Sequence, residues 1–334
     1  MGKRLKGNSG VPEKESADAL LGAVAMGTSK LPRKKMYRAR AHSNPLSDHT
    51  FDVPENPDAV DWATLYPAFS SRLTAAHRQP HACTTTKPSN EASSNHPQIQ
   101  PGTGHGHQQE CAQGQVQQGL VASGSSGQDV VEPMQVQFAD IGCGFGGLLI
   151  RLSPLYPTTL MVGMELRAKV SEYVKDRIES LRAEHPGQYT NCSCVRTNAM
   201  KYLPHYFRKG QLTKLFFLFP DPHFKVANHR RRIINTTLLT EYAYLLAVGG
   251  MLYTITDVPE LGDWMRSKLD SHPLFQRISD EELESDPAAG LLTEASEEAQ
   301  KVARNKGSTH RAVYRRLAAP RVLDANPEKL ATRK

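Results

Sequence analysis

The sequence predicts an open, doubly wound α/β sheet with helices on both faces, and three observations carry that reading. Apolar runs of strand length recur between residues 138 and 257 and alternate with segments of helical spacing. The first of these runs, Phe138 to Ile141, leads straight into glycines at 142, 144, 146 and 147. A later one, Leu215-Phe216-Phe217-Leu218-Phe219, is apolar without a break, as a strand buried on both faces must be.

Taken in order, residues 1–32 are small and polar, without helical or strand period, and read as a disordered tail. Residues 33–69 form a basic arm and an anchoring segment. The arm holds Arg33, Lys34, Lys35, Arg38 and Arg40, which read as an RNA-contacting arm, a nuclear-import signal or a soluble flank. Asp61-Trp62 and Leu65-Tyr66-Pro67 supply the anchoring aromatics. Residues 70–135 are rich in Gln, Ser, Gly, His and Thr and nearly lack aromatics, the composition of a flexible low-complexity insertion. Its histidines at 81, 96, 105 and 107 read as low complexity rather than as metal ligands.

The folded domain spans 136–317, followed by a flexible tail over 318–334. Its second strand, Thr159 to Met164, ends on Glu165. Val170, Tyr173, Val174, Arg177, Ile178 and Leu181 then fall at helical spacing. Cys192 to Val195 is a third strand with Thr197-Asn198-Ala199 at its tip, and Leu215 to Phe219 is the fourth. Leu238 to Leu246 reads as helix, Gly249-Gly250 as a turn, and Met251 to Asp257 as the fifth strand. Ala312 to Leu317 reads as a late edge strand.

Bulk properties narrow the function classes. A net charge of +7 over 334 residues suits a polyanionic partner. The N-terminal MGKRLKGNSG lacks the apolar core of a signal peptide, and no apolar stretch approaches the ~18 residues of a membrane span. Five cysteines show no Cys-x-x-Cys pair, so the expectation is a reducing, intracellular location and no structural metal.

In open α/β sheets, ligands bind outside the carboxyl ends of the strands, and four tips here carry polar chemistry. Glycines let backbone approach a ligand closely, and Glu165 at the second tip can accept both hydroxyls of a ribose. The spacing fits a nicotinamide or flavin dinucleotide formally. Asp140 before the first glycine, and four glycines within six residues, favour S-adenosylmethionine. At the fourth tip Pro220-Asp221-Pro222-His223 fixes φ on both sides of Asp221 and holds its carboxylate rigidly. Lys225 and Arg230-Arg231-Arg232 follow, cations suited to phosphate.

RAHSNP over 40–45, DWATLYP, FADIGCGFGGLL, GMELRAKVSEYVKDRI, TNAMKYLP, KGQLTKLFFLFPDPHFK, EYAYLLAVGGMLYTITDV and HPLF together cover nearly all of 33–69 and 136–317. In these stretches the chain resembles the tRNA (guanine-N7)-methyltransferases, specifically the eukaryotic catalytic subunit that works with a WD-repeat β-propeller. The resemblance implies a Rossmann-like S-adenosylmethionine-dependent domain acting on the variable-loop guanine of tRNA, position 46, in the nucleus. It implies cofactor contacts at Gly142, Gly144, Glu165, Leu166, Arg167, Asn198, Ala199 and Leu218, with Asp221 as the catalytic acid. It also implies that Ser296 and Glu298 belong to an element closing over the site, with serine where the family has threonine. Arg33, Lys34, Lys35, Arg38, Arg40, Lys225, Arg230, Arg231 and Arg232 would hold the RNA backbone. Ser43, five residues after Arg38, is a candidate phosphorylation site. Two other readings stand beside this one: a non-catalytic tRNA-binding subunit, and a NAD(P)-dependent oxidoreductase, whose hydride-transfer residues are not found. An exocyclic-amino methyltransferase fits poorly, because a histidine follows the second proline.

Overall fold

The structure is a computed structural model that describes residues 31–39, 43–47, 50–77 and 134–319, with the side chains of 74–77 left aside. The expectations for the N-terminal tail up to residue 30, for Arg40 and His42, for most of the insertion and for the tail from 320 lie outside the described residues.

Seven strands form one sheet in the order β3-β2-β1-β4-β5-β7-β6. They are β1 (Val136–Ile141), β2 (Leu160–Glu165), β3 (Cys192–Arg196), β4 (Leu212–Leu218), β5 (Leu246–Thr256), β6 (Phe275–Arg277) and β7 (His310–Arg316). The first five run parallel, and β7 is antiparallel to both its neighbours. Strand order reverses between β1 and β4, which places the topological switch point, and so a ligand crevice, at their carboxyl ends.

Helices cover both faces because successive side chains of each strand point to opposite sides. Leu215 and Phe217 of β4 join one core and Phe216 the other; Leu160, Val162 and Met164 of β2 likewise oppose Met161. Phe216 stacks on Tyr253 of β5 at 4.6 Å. Between strands run α3 (Gly147–Leu155), α4 (Ala168–Glu184), α5 (Ala199–Tyr202), α6 (Thr236–Leu245) and α7 (Pro259–Asp270), preceded by α1 (Trp62–Leu65) and α2 (Ser70–His77). Helix α4 buries Val170, Tyr173, Val174, Ile178 and Leu181, the stripe its spacing predicts, with Arg177 at its edge. Three helices lie between β6 and β7: α8 (Asp280–Leu283), α9 (Pro287–Leu291) and α10 (Glu297–Arg304).

The anchoring segment is fastened to the sheet by its aromatics. Tyr66 is fully buried and its hydroxyl donates to the Met161 carbonyl at 2.8 Å. Trp62 stacks on Phe207 at 6.0 Å.

Four boundaries differ from expectation. Helix α2 continues to His77, past the insertion's expected start at 70. Strand β4 stops at Leu218, because Phe219 turns to φ +49° and leaves the ladder. Strand β5 begins at Leu246, so Gly249-Gly250 lies inside it rather than before it. The pairing with β4 shifts register between Leu212 and Lys214, and Gly249 (φ +84°) takes up the irregularity. Finally, β7 is no edge strand: it pairs on both sides, and the edge is the three-residue β6.

Candidate active site at the strand tips

The tips of β1, β2, β3 and β4 open into one cleft of about 180 Å³. Gly142, Glu165, Leu166, Arg167, Asn198, Ala199, Leu218 and Asp221 all line it, together with Ser43, His223 and Arg231.

The four glycines divide into two pairs. Gly142 (φ +71°) and Gly144 (φ +54°) adopt left-handed backbone, and a Cβ on either would meet nothing within 4 Å. They leave open space beside the loop, and Gly142 lines the cleft. Gly146, also left-handed at φ +76°, and Gly147 are closely packed. A Cβ on Gly146 would lie 2.8 Å from Val174, and one on Gly147 would lie 2.4 Å from the Ala295 carbonyl oxygen.

Glu165 is only 4% exposed. Its Oε1 accepts from the Arg167 amide at 2.9 Å and from Arg167 Nε at 3.0 Å. Its Oε2 accepts from Arg167 Nη2 at 2.9 Å and from the Gly144 amide at 3.2 Å. The carboxylate's roughly four acceptor positions are therefore taken, so a ribose diol must displace the Arg167 guanidinium. That guanidinium is held protonated by Glu165 first, and Asp221 across the cleft adds to the effect.

Asn198 is buried, and both ends of its carboxamide are engaged. Oδ1 accepts from the Met200 amide at 3.1 Å and caps α5, while Nδ2 donates to the Pro45 carbonyl at 2.6 Å. Through that bond the anchoring segment carrying Ser43 is tied to the third strand tip.

Asp221 projects from a turn with unusual backbone on both sides, Phe219 at φ +49° and His223 at φ +46°. Non-glycine residues adopt such φ values only where surrounding structure imposes them. Lys225 and Arg230 are exposed beyond it, and Arg231 borders the cleft.

Arg232 departs from its expected role on RNA. It is 1% exposed, donates to both Glu260 oxygens at 3.0 and 2.8 Å, and its guanidinium lies 4.7 Å from the Trp264 ring centre. A side chain so enclosed cannot reach a phosphate. Ser296 and Glu298 do not line the cleft, although Ser296 Cα packs 3.2 Å from where a Cβ on Gly147 would lie. The Ser296 hydroxyl accepts from the Ala299 amide and caps α10, and Glu298 is exposed and pairs with Lys301. Glu297 is the acid that turns inward, accepting from Lys34 at 2.9 Å and Arg177 at 3.2 Å. Lys34 also lies over Phe145 of the glycine loop at 5.0 Å, so one cation of the basic arm is already engaged. Arg33, Lys35 and Arg38 are exposed.

Asp140 is the site residue to which the sequence reading gave no role, although its place before the first glycine marked it. It is 3% exposed, and its carboxyl is pushed up to about 8, by burial first and then by Glu165 and Glu297. Its carboxyl is therefore mostly protonated at neutral pH, and a cation beside it would favour the ionised form. Among the described residues no cluster of His, Cys, Asp and Glu could hold a metal ion, and no helix is long and apolar enough to cross a membrane.

Residues 134–312 match a protein family described as "Putative methyltransferase". A Zea mays protein named tRNA (guanine-N(7)-)-methyltransferase is 52% identical over 88% of this chain and 96% of its own length. Proteins of the same name from Arabidopsis thaliana and Homo sapiens are 51% and 46% identical, over 86% and 89% of this chain and 93% and 92% of theirs. Among solved structures, the 16S rRNA methyltransferase KamB aligns with 56% of this chain and 89% of its own at 16% identity and a TM-score of 0.39, a likeness too loose to add to the sequence match. On the sequence matches the chain belongs to the tRNA (guanine-N7)-methyltransferase family.

Proposed function

We propose that this chain transfers a methyl group from S-adenosylmethionine to N7 of the variable-loop guanine of tRNA, position 46. The observation that carries the reading is the single cleft in which Asp221 faces the glycine loop and Glu165. The residues present fit the cofactor. Gly142 and Gly144 leave room for it, Glu165 can take a ribose diol, and Asp140, protonated at neutral pH, would ionise beside a cation. When bound, S-adenosylmethionine supplies the methyl group on a sulfonium leaving group.

Guanine N7 already carries an in-plane lone pair, so no side chain needs to act as general base. The chain's contribution is placement and charge. Asp221 accepts hydrogen bonds from the guanine N1 and N2 donors, fixing the base, and its negative charge offsets the positive charge that builds on the ring. Arg230 and the exposed cations of the arm contact phosphate. A guanine engaged in tRNA tertiary structure must leave its stack to reach the cleft.

A WD-repeat propeller is the proposed partner, and two exposed apolar side chains, Tyr244 at the end of α6 (49%) and Val248 in β5 (65%), are available for a docked subunit to cover. The nucleus is the proposed location, on Arg33-Lys34-Lys35 as an import signal. The test is methyl transfer from labelled S-adenosylmethionine to bulk tRNA, with and without the propeller subunit, with 7-methylguanosine mapped by borohydride–aniline cleavage. Cleavage at the variable-loop guanine supports reaction, acceptor and partner together. No incorporation in either condition, with cofactor binding intact, overturns the reading. Asp221→Ala is expected to abolish transfer and leave cofactor affinity nearly unchanged.

A further inference from the structure

The turn that carries Asp221 belongs to no helix or strand, yet its backbone is strained at both ends. Something must hold it. Upstream, the Phe219 amide donates to the Ile255 carbonyl at 2.8 Å and ties the turn to the tip of β5. Downstream, Arg232 Nε donates to the carbonyl of Pro222, the residue immediately after Asp221, at 2.9 Å.

Arg232 itself is fixed on three sides. Glu260, at the start of α7, receives both terminal nitrogens, and Trp264, one turn on, covers the guanidinium face. The Trp264 indole nitrogen donates to the Ile234 carbonyl at 2.8 Å, so the stacking surface is also anchored. This arrangement needs a planar fork with three separate donors and an aromatic-compatible face, which arginine has and lysine lacks. Burying a cation to this degree is unfavourable unless it is paired, and here its partner's side chain is 56% exposed. The cation is buried to reach the Pro222 carbonyl.

We infer that Arg232 is a positioning residue for the methyl-transfer reaction: clamped by Glu260 and Trp264, it holds the Pro222 carbonyl and so sets where the Asp221 carboxylate stands in the cleft. This rests on the reading of Asp221 given above. Misplacing a catalytic group by about 1 Å costs on the order of 100-fold in rate. Loss of the clamp should therefore lower kcat by roughly 10- to 100-fold while the cofactor dissociation constant, read outside this turn, stays within about twofold.

The experiment compares the full chain, supplied with its partner subunit if the assay above requires it, as wild type, Arg232→Lys, Glu260→Ala, Glu260→Gln and Asp221→Asn. Measured are kcat and KM for tRNA, cofactor affinity and melting temperature, with assays run well below every melting point. The expected result is a drop in kcat for Arg232→Lys and a smaller one for Glu260→Ala, with cofactor affinity unchanged and Asp221→Asn inactive. Wild-type kcat in Arg232→Lys beside an inactive Asp221→Asn overturns the inference, whatever happens to stability. Should Arg232→Lys fail to fold, Glu260→Gln decides in its place, because it keeps an acceptor on the buried guanidinium and should give the same smaller drop in kcat. An active Asp221→Asn would sink the role of Asp221 instead.

Discussion

Replacing Asp140 with asparagine should move stability and cofactor binding in opposite directions. The carboxyl is raised from 3.8 to about 8, so the folded state holds a proton that the unfolded chain has released across that window. Folding stability of the wild type therefore falls as pH rises from about 4 to about 8, by about 1.4 kcal/mol per pH unit, and levels off above. At pH 7 the accumulated loss is about 4 kcal/mol, an order-of-magnitude figure. Asparagine does not titrate. The stability difference between Asp140→Asn and wild type, from urea unfolding at several pH values without cofactor, should grow with pH over that window and then plateau. The same carboxylate, once ionised, is the partner for a cationic ligand. Wild-type affinity for S-adenosylmethionine should rise with pH toward 8, and the variant should bind about 30-fold more weakly, from about 2 kcal/mol for a charged hydrogen-bonded contact. A stability difference that stays flat with pH would refute the reasoning about burial. Unchanged cofactor affinity would refute the assignment of Asp140 to the cation.

Two further outcomes test the RNA side. Arg230→Ala should weaken tRNA binding and lower the slope of log affinity against log salt by about 1, measured by filter binding across a salt series; an unchanged slope removes Arg230 from the phosphate contacts. Ser43 lines the same cleft as Asp221, so Ser43→Asp adds a second negative charge to the cleft in which that acid must receive the guanine. Its methyl-transfer rate should fall at least tenfold while the melting temperature holds, and wild-type turnover would argue against control at this position.

The strand tips were legible because their signal is local. A strand that ends on glycine, on Glu165 or on Pro-Asp-Pro announces its chemistry within six residues, and the cleft gathers those residues as the topology requires. Arg230, Arg231 and Arg232 show where that signal stops. They are chemically identical neighbours, yet the first is exposed, the second borders the cleft and the third is buried. What separates them is a tryptophan and a glutamate some thirty residues away on α7, which no spacing rule connects to a basic run. Ser296-Glu297-Glu298 packs on the glycine loop, but helix register decides which of its side chains face it. Ser296 turned out to be the cap, and in the first turn of α10 the next residue, Glu297, faces inward while Glu298 points to solvent. The edge strand β6 was missed because three residues carry no period to read.

Three acids converge on the glycine loop, and the differences among them assign their roles. Glu297 is neutralised by Lys34 and Arg177, which ties the basic arm and α4 to the loop. Glu165 is neutralised by Arg167, a pairing between groups that both line the cleft and can be exchanged for ribose hydroxyls. The Asp140 carboxyl has no acid–base partner among the described residues, and the other two acids only raise its pKa further. An uncompensated acid at the tip of β1 costs stability in the free protein, as the asparagine variant is designed to reveal. A cation placed there pulls the carboxyl into its ionised form: the proton released below pH 8 subtracts from the binding free energy, and the attraction that remains favours the charged donor over its neutral, demethylated product. Comparing the affinities of donor and product in wild type and Asp140→Asn measures that attraction directly: the preference for the charged form should shrink in the variant, and an undiminished preference would place the discrimination in another residue.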